Sequence, residues 1–343
     1  MIYKNCEIFN VAEIFDNEDG SVSWRRVPGE VFATMESTVA DLMVHNCTGV
    51  ELRFVLKGES AKLILSAKEP ENKESALFHI YRGGIQGGWE DHEINTHIYN
   101  EPHEYVIHRS KNMKNLKTMT QMMGHEWSPE VVRIVFDRGT FRIHDIIGDI
   151  EPPTKEQCPR KTILFYGSSI THGSNSIDSS HTWVSQVAYN LNLDGRNLGM
   201  AGSCFMEPAM ADYIAAEGEQ GKWDVAVLEL GINVIGWDEP KIYERVENIL
   251  AQVAGRNPEK KIVVISPFYY GAEDLRGCTR GEKWRRIIPE VIEKLSYPNV
   301  HYLKGTDILG DISGMSADEI HPSIYGIQQI ADRLTAALQN ILK

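Results

Sequence analysis

TILFYGSSITH, residues 162–172, is an unbroken run of β-formers (Ile163, Leu164, Phe165, Tyr166) cut off by Gly167 and followed at once by two serines. A buried strand that stops this way delivers a hydroxyl to a tight turn at its C-terminal end. That is where an open α/β sheet keeps its chemistry.

Outward from this stretch, apolar runs alternate with helical periods all the way to the C-terminus. The strand at 162–166 precedes a helix over 183–193, 195–198 precedes 204–217, 224–230 precedes 240–254, 261–267 precedes 281–296, and 300–303 precedes 323–342. Five strands, each followed by a helix, predict a doubly wound, flavodoxin-like parallel sheet with right-handed crossovers. Ile242, Val246, Ile249, Leu250 and Val253 form one clear stripe, and Ile327, Ile330, Leu334, Leu338 and Ile341 another. Pro289 is the one blemish, a predicted kink in the fourth helix.

Upstream the pattern changes. Val50, Leu52, Phe54 and Leu56 alternate with polar residues, break at Lys57-Gly58-Glu59-Ser60 and resume at Leu63 and Leu65, which predicts a hairpin. Further short strands near 77–81, 104–108, 131–136 and 140–146 suggest an antiparallel β-sandwich of jelly-roll type. The polar, triple-proline run 149–159 favours extended chain. The expected division is a β-sandwich accessory domain over 1–150, a linker over 151–160 and a catalytic domain over 161–343.

Three features of the first half invite a site and read as structural. His92, His97, His103 and His108 show no HxH or HExxH unit and are expected on the surface or hydrogen-bonded rather than on a metal. The glycine-rich stretch 82–89 precedes no helix, so it reads as a strand connection; its sharper alternative makes Trp89 a sugar-stacking platform or an interdomain wedge. Met113, Met119, Met122 and Met123 lack a clean helical stripe and are expected to pack under a long loop.

Composition narrows the rest. At 343 residues, 42% hydrophobic and 24% charged, the chain suits two globular domains. A formal charge of −13 disfavours nucleic-acid and anionic-membrane partners, which need a basic face. Five scattered cysteines without a CxxC pair fit reduced thiols. Residues 1–15 lack the basic and apolar regions of a signal peptide, so the expected location is the cytoplasm. A homo-oligomer is compatible with all of this.

Four short blocks at predicted loop tips carry a resemblance: Gly167-Ser168-Ser169-Ile170-Thr171, Asn197 through Gly202, Gly231-Ile232-Asn233 and Asp318-Glu319-Ile320-His321. In this order they resemble the blocks of the SGNH hydrolases, the GDSL esterase/lipase family. The resemblance implies that Ser169 is the nucleophile, His321 the general base and Asp318 the residue that orients it. It also implies that the backbone N–H groups of Ser169 and Gly202, with the side-chain amide of Asn233, form an oxyanion hole. Ser168 stands where the family has aspartate, so one carboxylate that braces the turn in relatives is missing; Val234 likewise replaces an aspartate. Ser168 is expected to hold the turn, His172 to line the pocket, and Glu319 is the less favoured orienting acid. Trp237, Tyr269 and Tyr270 follow strand ends and either shape the cleft or pack.

The implied chemistry is serine acyl hydrolysis, which requires no metal or organic cofactor. A β-sandwich ahead of such a domain resembles carbohydrate esterases, so the expected substrate is a short acyl ester, an acetyl group above all, on a small molecule or oligosaccharide. The rivals are a general short-chain carboxylesterase, lysophospholipase-like or thioesterase-like enzyme, and a non-catalytic carbohydrate-binding protein.

Overall fold

The apolar run that opens the second half is a strand, β1 (Thr162–Gly167), and four more run parallel to it: β2 (Asp194–Gly199), β3 (Val225–Glu229), β4 (Lys261–Ile265) and β5 (Val300–Leu303). These come from a computed structural model that describes residues 1–68, 76–89 and 96–343. The strand order is β2-β1-β3-β4-β5, so the chain reverses direction across β1. Such a reversal opens a crevice at the C-terminal strand ends, because the neighbouring loops leave in opposite directions. The doubly wound expectation therefore describes this sheet.

Five helices cover it: α1 (Trp183–Asn190), α2 (Pro208–Glu219), α3 (Glu239–Val253), α4 (Arg280–Leu295) and α5 (Ile324–Ile341). Their starts follow local chemistry. Thr182 and Ser323 cap the N-termini of α1 and α5 by accepting backbone N–H bonds from Ser185 and Gly326, and Pro208 and Pro240 occupy first turns. Strand side chains alternate between the two faces. Ile163, Phe165, Val225, Val227, Val263 and Ile265 pack with the apolar stripes of α1 and α5. Leu164, Leu228 and Val264 are buried on the opposite face, where α2, α3 and α4 lie side by side. The α4 helix continues through Pro289 to Leu295. Among the described residues no helix is long and apolar enough to cross a membrane.

Among the described residues the first half forms an antiparallel sheet of eleven hydrogen-bonded strands. Its centre corrects the hairpin expectation: residues Glu51–Ala67 are one 17-residue strand, and the Lys57–Ser60 stretch lies inside it. What looked like a turn is where the strand changes partner. Residues 51–55 pair with Val131–Phe136, while 60–65 pair with His103–His108 on the same edge. Phe141–Glu151 pairs along the other edge with register shifts near Ile143 and Gly148. Phe54, Leu63, Phe78, Tyr105, Ile134 and Ile143 share the core.

The methionine-rich segment is likewise different from its expectation. It forms an 11-residue helix, Met113–Met123, closed by Gly124 in a left-handed conformation, with Met119, Met122 and Met123 exposed. Trp89 is 93% exposed, and His92 lies outside the described residues. Among the described residues no three His, Cys, Asp or Glu side chains group as a metal site.

The chain divides into two units, and the division is not a single cut near residue 150. One unit contains Met1–Gly29, Val44–Arg160 and Asp178–Ser180; the other contains Glu30–Met43, Lys161–Ile177 and His181–Lys343. The stretch 151–160, expected as a linker, belongs to the first unit, where Thr154 and Gln157 close a capping box. Residues 30–43, expected in the accessory domain, belong to the second unit.

Candidate active site

The β1 strand ends at Gly167, and the chain turns directly into a one-turn helix, Ser169–His172. Ser168 caps it, its hydroxyl oxygen accepting from the Ile170 N–H at 3.1 Å, so Ser169 begins the helix at the strand tip. The Ser169 side chain reaches the imidazole of His321, with Oγ 2.8 Å from Nε2. On the other side of the ring, Nδ1 is 2.7 Å from Asp318 Oδ2. Ser169 and His321 are 152 residues apart in sequence, so tertiary structure alone brings them together.

The Asp318–His321 turn builds itself. Asp318 Oδ1 accepts from Ile320 N–H at 2.9 Å, His321 N–H at 2.8 Å and the Ser316 hydroxyl at 2.9 Å, leaving Oδ2 for the imidazole. Partial burial alone would raise the carboxyl's pKa, but these donors outweigh it and hold Asp318 well below the ordinary carboxylate range. An ionised carboxylate only accepts, so Nδ1 carries the proton and Nε2 is left as the acceptor for the Ser169 hydroxyl. Glu319, the rival acid, is turned away in a left-handed conformation (φ 65°) and pairs with Arg276 at 2.5 Å. The turn is held from two other loops: Asn175 donates to Ser316 Oγ at 3.0 Å, and Gly271 N–H to the Glu319 carbonyl at 2.7 Å.

The loops after β2 and β3 come to the same strand ends. Asn197 of β2 donates to the Thr171 carbonyl at 2.9 Å and accepts the Gly199 N–H at 2.7 Å, stitching its loop to the Ser169 turn. Gly202 follows with φ +62°, a conformation that costs a residue with a Cβ, and a Cβ there would also meet Val39 at 3.1 Å. Ser37 donates to the Gly202 carbonyl at 2.8 Å and accepts from the Ser203 hydroxyl at 2.8 Å. From the β3 loop, Asn233 Oδ1 accepts the Cys204 N–H at 3.1 Å. With its oxygen fixed by that donor, the amide presents its NH₂ end in the other direction.

One contact was invisible in the residue pattern. Glu229, the last residue of β3, is fully buried, and its Oε2 accepts from Ser168 N–H at 2.7 Å, Ser168 Oγ at 2.6 Å and Thr171 Oγ1 at 3.0 Å. The turn has no carboxylate of its own, and the neighbouring strand supplies one. Burial pushes the Glu229 carboxyl up to about 7, despite the three donors that favour its ionised form. The signal available in sequence was a lone acid inside the apolar run 225–230, since a buried carboxylate needs partners.

Other singled-out residues are placed as follows. His172 is 2% exposed within the one-turn helix. Tyr269 and Tyr270 are buried, with hydroxyls on Asp274 at 2.9 Å and near Cys278 Sγ at 3.3 Å, so they pack rather than line an open cleft. Trp237 lies against Phe205 and Trp284, with Lys241 4.2 Å over its ring.

Residues 165–328 match the model of the GDSL-like lipase/acylhydrolase family. The segment 165–328 is a GDSL-like lipase/acylhydrolase domain. The chain therefore carries a domain of the GDSL/SGNH serine-hydrolase type, and the four blocks all lie within it. Among solved structures, the salicylyl-acyltransferase SsfX3 from a tetracycline biosynthetic pathway is similar at 18% identity, with a TM-score of 0.76 over 98% of this chain and 95% of that one. A family two carbohydrate esterase from Cellvibrio japonicus aligns at 12% identity and TM-score 0.65 over 99% and 96%. The acetyl xylan esterase Est2A from Butyrivibrio proteoclasticus aligns at 13% and 0.57 over 99% and 97%. Comparison with curated protein sequences gives no match. At these identities the likeness is one of fold, and it extends over nearly the whole chain, the antiparallel unit included.

Proposed function

We propose that the GDSL-like domain hydrolyses a short acyl ester, an acetyl ester above all, on a carbohydrate. His321 takes the Ser169 proton as Oγ attacks the carbonyl, and Asp318 steadies the imidazolium that forms. The backbone N–H groups of Ser169 and Gly202 and the Asn233 side-chain amide hold the developing oxyanion. His321 then gives its proton to the leaving alcohol, and a water, deprotonated by the same imidazole, releases the acid. The observation that carries this reading is the pair of contacts on one ring, 2.8 Å to a hydroxyl and 2.7 Å to a carboxylate that only accepts.

The carbohydrate is supported by architecture: structures described as carbohydrate esterases share both units of this chain. The test is labelling with a serine-reactive phosphonate followed by peptide mapping, then kcat/KM on acetylated sugars, aryl acetates and longer acyl esters. No adduct at Ser169 sinks the acyl-enzyme. An adduct with equal activity on sugar and aryl esters sinks the carbohydrate preference. Because a described neighbour is an acyltransferase, product analysis with added alcohol acceptors separates transfer from hydrolysis.

Asn233→Ala is expected to lower kcat about 100- to 1000-fold with KM little changed, the usual loss for one oxyanion donor. Steady-state kinetics on an aryl acetate check it. A loss below about threefold removes Asn233 from the hole.

A further inference from the structure

We propose that Glu229 is a positioning residue for the nucleophile, gathering three donors of the Ser168–Thr171 turn onto one oxygen so that Ser169 Oγ meets His321. The inference rests on the reading of Ser169 as nucleophile and adds a residue that does not touch substrate.

The geometry carries it. Oε2 takes the Ser168 N–H, the Ser168 hydroxyl and the Thr171 hydroxyl, residues that flank Ser169 on both sides. The contact is close enough to dictate the residue at 167: a Cβ on Gly167 would lie 2.6 Å from Oε2 and 2.2 Å from Thr171 Oγ1. Oε1 is buried without a hydrogen-bond partner, and among the described residues no lysine or arginine pairs with the carboxylate. A buried carboxylate with no cation beside it is a poor way to stabilise a fold, because three neutral donors on one oxygen offset its desolvation only in part. All its bonding is directed at one turn. Misplacing a reacting group by about 1 Å costs on the order of 100-fold in rate, so a clamp at this point acts on kcat.

The test compares E229A with E229Q by kcat, KM, melting temperature and the rate of phosphonate labelling. Glutamine keeps an acceptor where Oε2 stands and places its NH₂ at the idle position; alanine leaves the three donors without an acceptor. E229A is expected to lose about 100-fold in kcat and labelling rate with KM within about twofold, and E229Q to recover to within about tenfold of the parent. The role is overturned if folded E229A stays within about threefold of the parent, if KM rather than kcat moves, or if both variants are equally impaired. Should E229A not fold, S168A/T171V removes two donors instead, with an expected loss of about tenfold in kcat; an unchanged kcat there also overturns the role. A parent enzyme that takes no phosphonate ends the nucleophile reading. A parent that is labelled while folded E229A is labelled equally fast ends only the role of Glu229.

Discussion

Ser169→Ala is expected to lower kcat for ester hydrolysis by about 10⁴-fold or more, with KM within a fewfold and no phosphonate adduct. The hydroxyl and imidazole act as one unit, so His321→Ala should cost as much, and S169A/H321A no more than either single change. On this reading the residual rate belongs to the proposed oxyanion donors, which both variants keep. Stability should hardly move: the imidazole that loses its hydroxyl partner keeps its bond to Asp318 and is a quarter exposed, so water takes the vacated site. Initial rates on an aryl acetate, with melting curves alongside, measure both. A residual activity above about 1% of the parent in S169A would mean that another group attacks the carbonyl.

Asp318→Asn is expected to cost on the order of 10³- to 10⁴-fold, and the reason lies in the other oxygen. Oδ1 faces three donors, from Ser316, Ile320 and His321. An asparagine can satisfy them only with its carbonyl there, which swings its NH₂ toward Nδ1. The imidazole must then accept at Nδ1 and carry its proton on Nε2, where it cannot receive the Ser169 proton. Asp318 is held well below the ordinary carboxylate range, so its charge is lost only as pH falls beneath that range. Titration of the Asp318 carboxyl itself should accordingly add no pH dependence to the parent rate above about pH 5, well clear of the ordinary aspartate value of about 3.9. Rates from acid to neutral pH, with nitrogen NMR of the imidazole to read the tautomer, test both claims. A variant within tenfold of the parent, or one whose ring keeps its proton on Nδ1, would remove Asp318 from its role.

The parallel sheet was legible because its signals are local: apolar runs of five or six residues, helix stripes and caps such as Thr182 and Ser323 are written within a few residues of each other. The four blocks were legible for a related reason. Three of them sit at strand ends and the fourth just ahead of α5, where a doubly wound order brings successive loops together whatever their separation in sequence. Bonds between distant single residues were not legible. Glu229 looks like one more member of a strand until Ser168 and Thr171 are seen above it, and nothing around Asn197 announces the Thr171 carbonyl 26 residues away. Polar residues misled where exposure, not a turn, explained them. Lys57 and Glu59 are exposed within a continuous strand, and the methionine segment is a helix with Met119, Met122 and Met123 exposed.

The segment Glu30–Met43 gives the molecule an order of assembly. Ser37 is translated 165 residues before Gly202, and Glu36, which pairs with Arg245 and Lys241, 209 and 205 residues before them. These partners are made only after the first sheet, and closing so long a loop comes late because its entropy is lost before any contact repays it. The hydrolase domain is thus completed by chain made well over a hundred residues ahead of the rest of it. A fragment spanning 161–343 should melt lower than the full chain and label poorly with phosphonate, whereas a cut that preserves 30–43 in the same polypeptide should not.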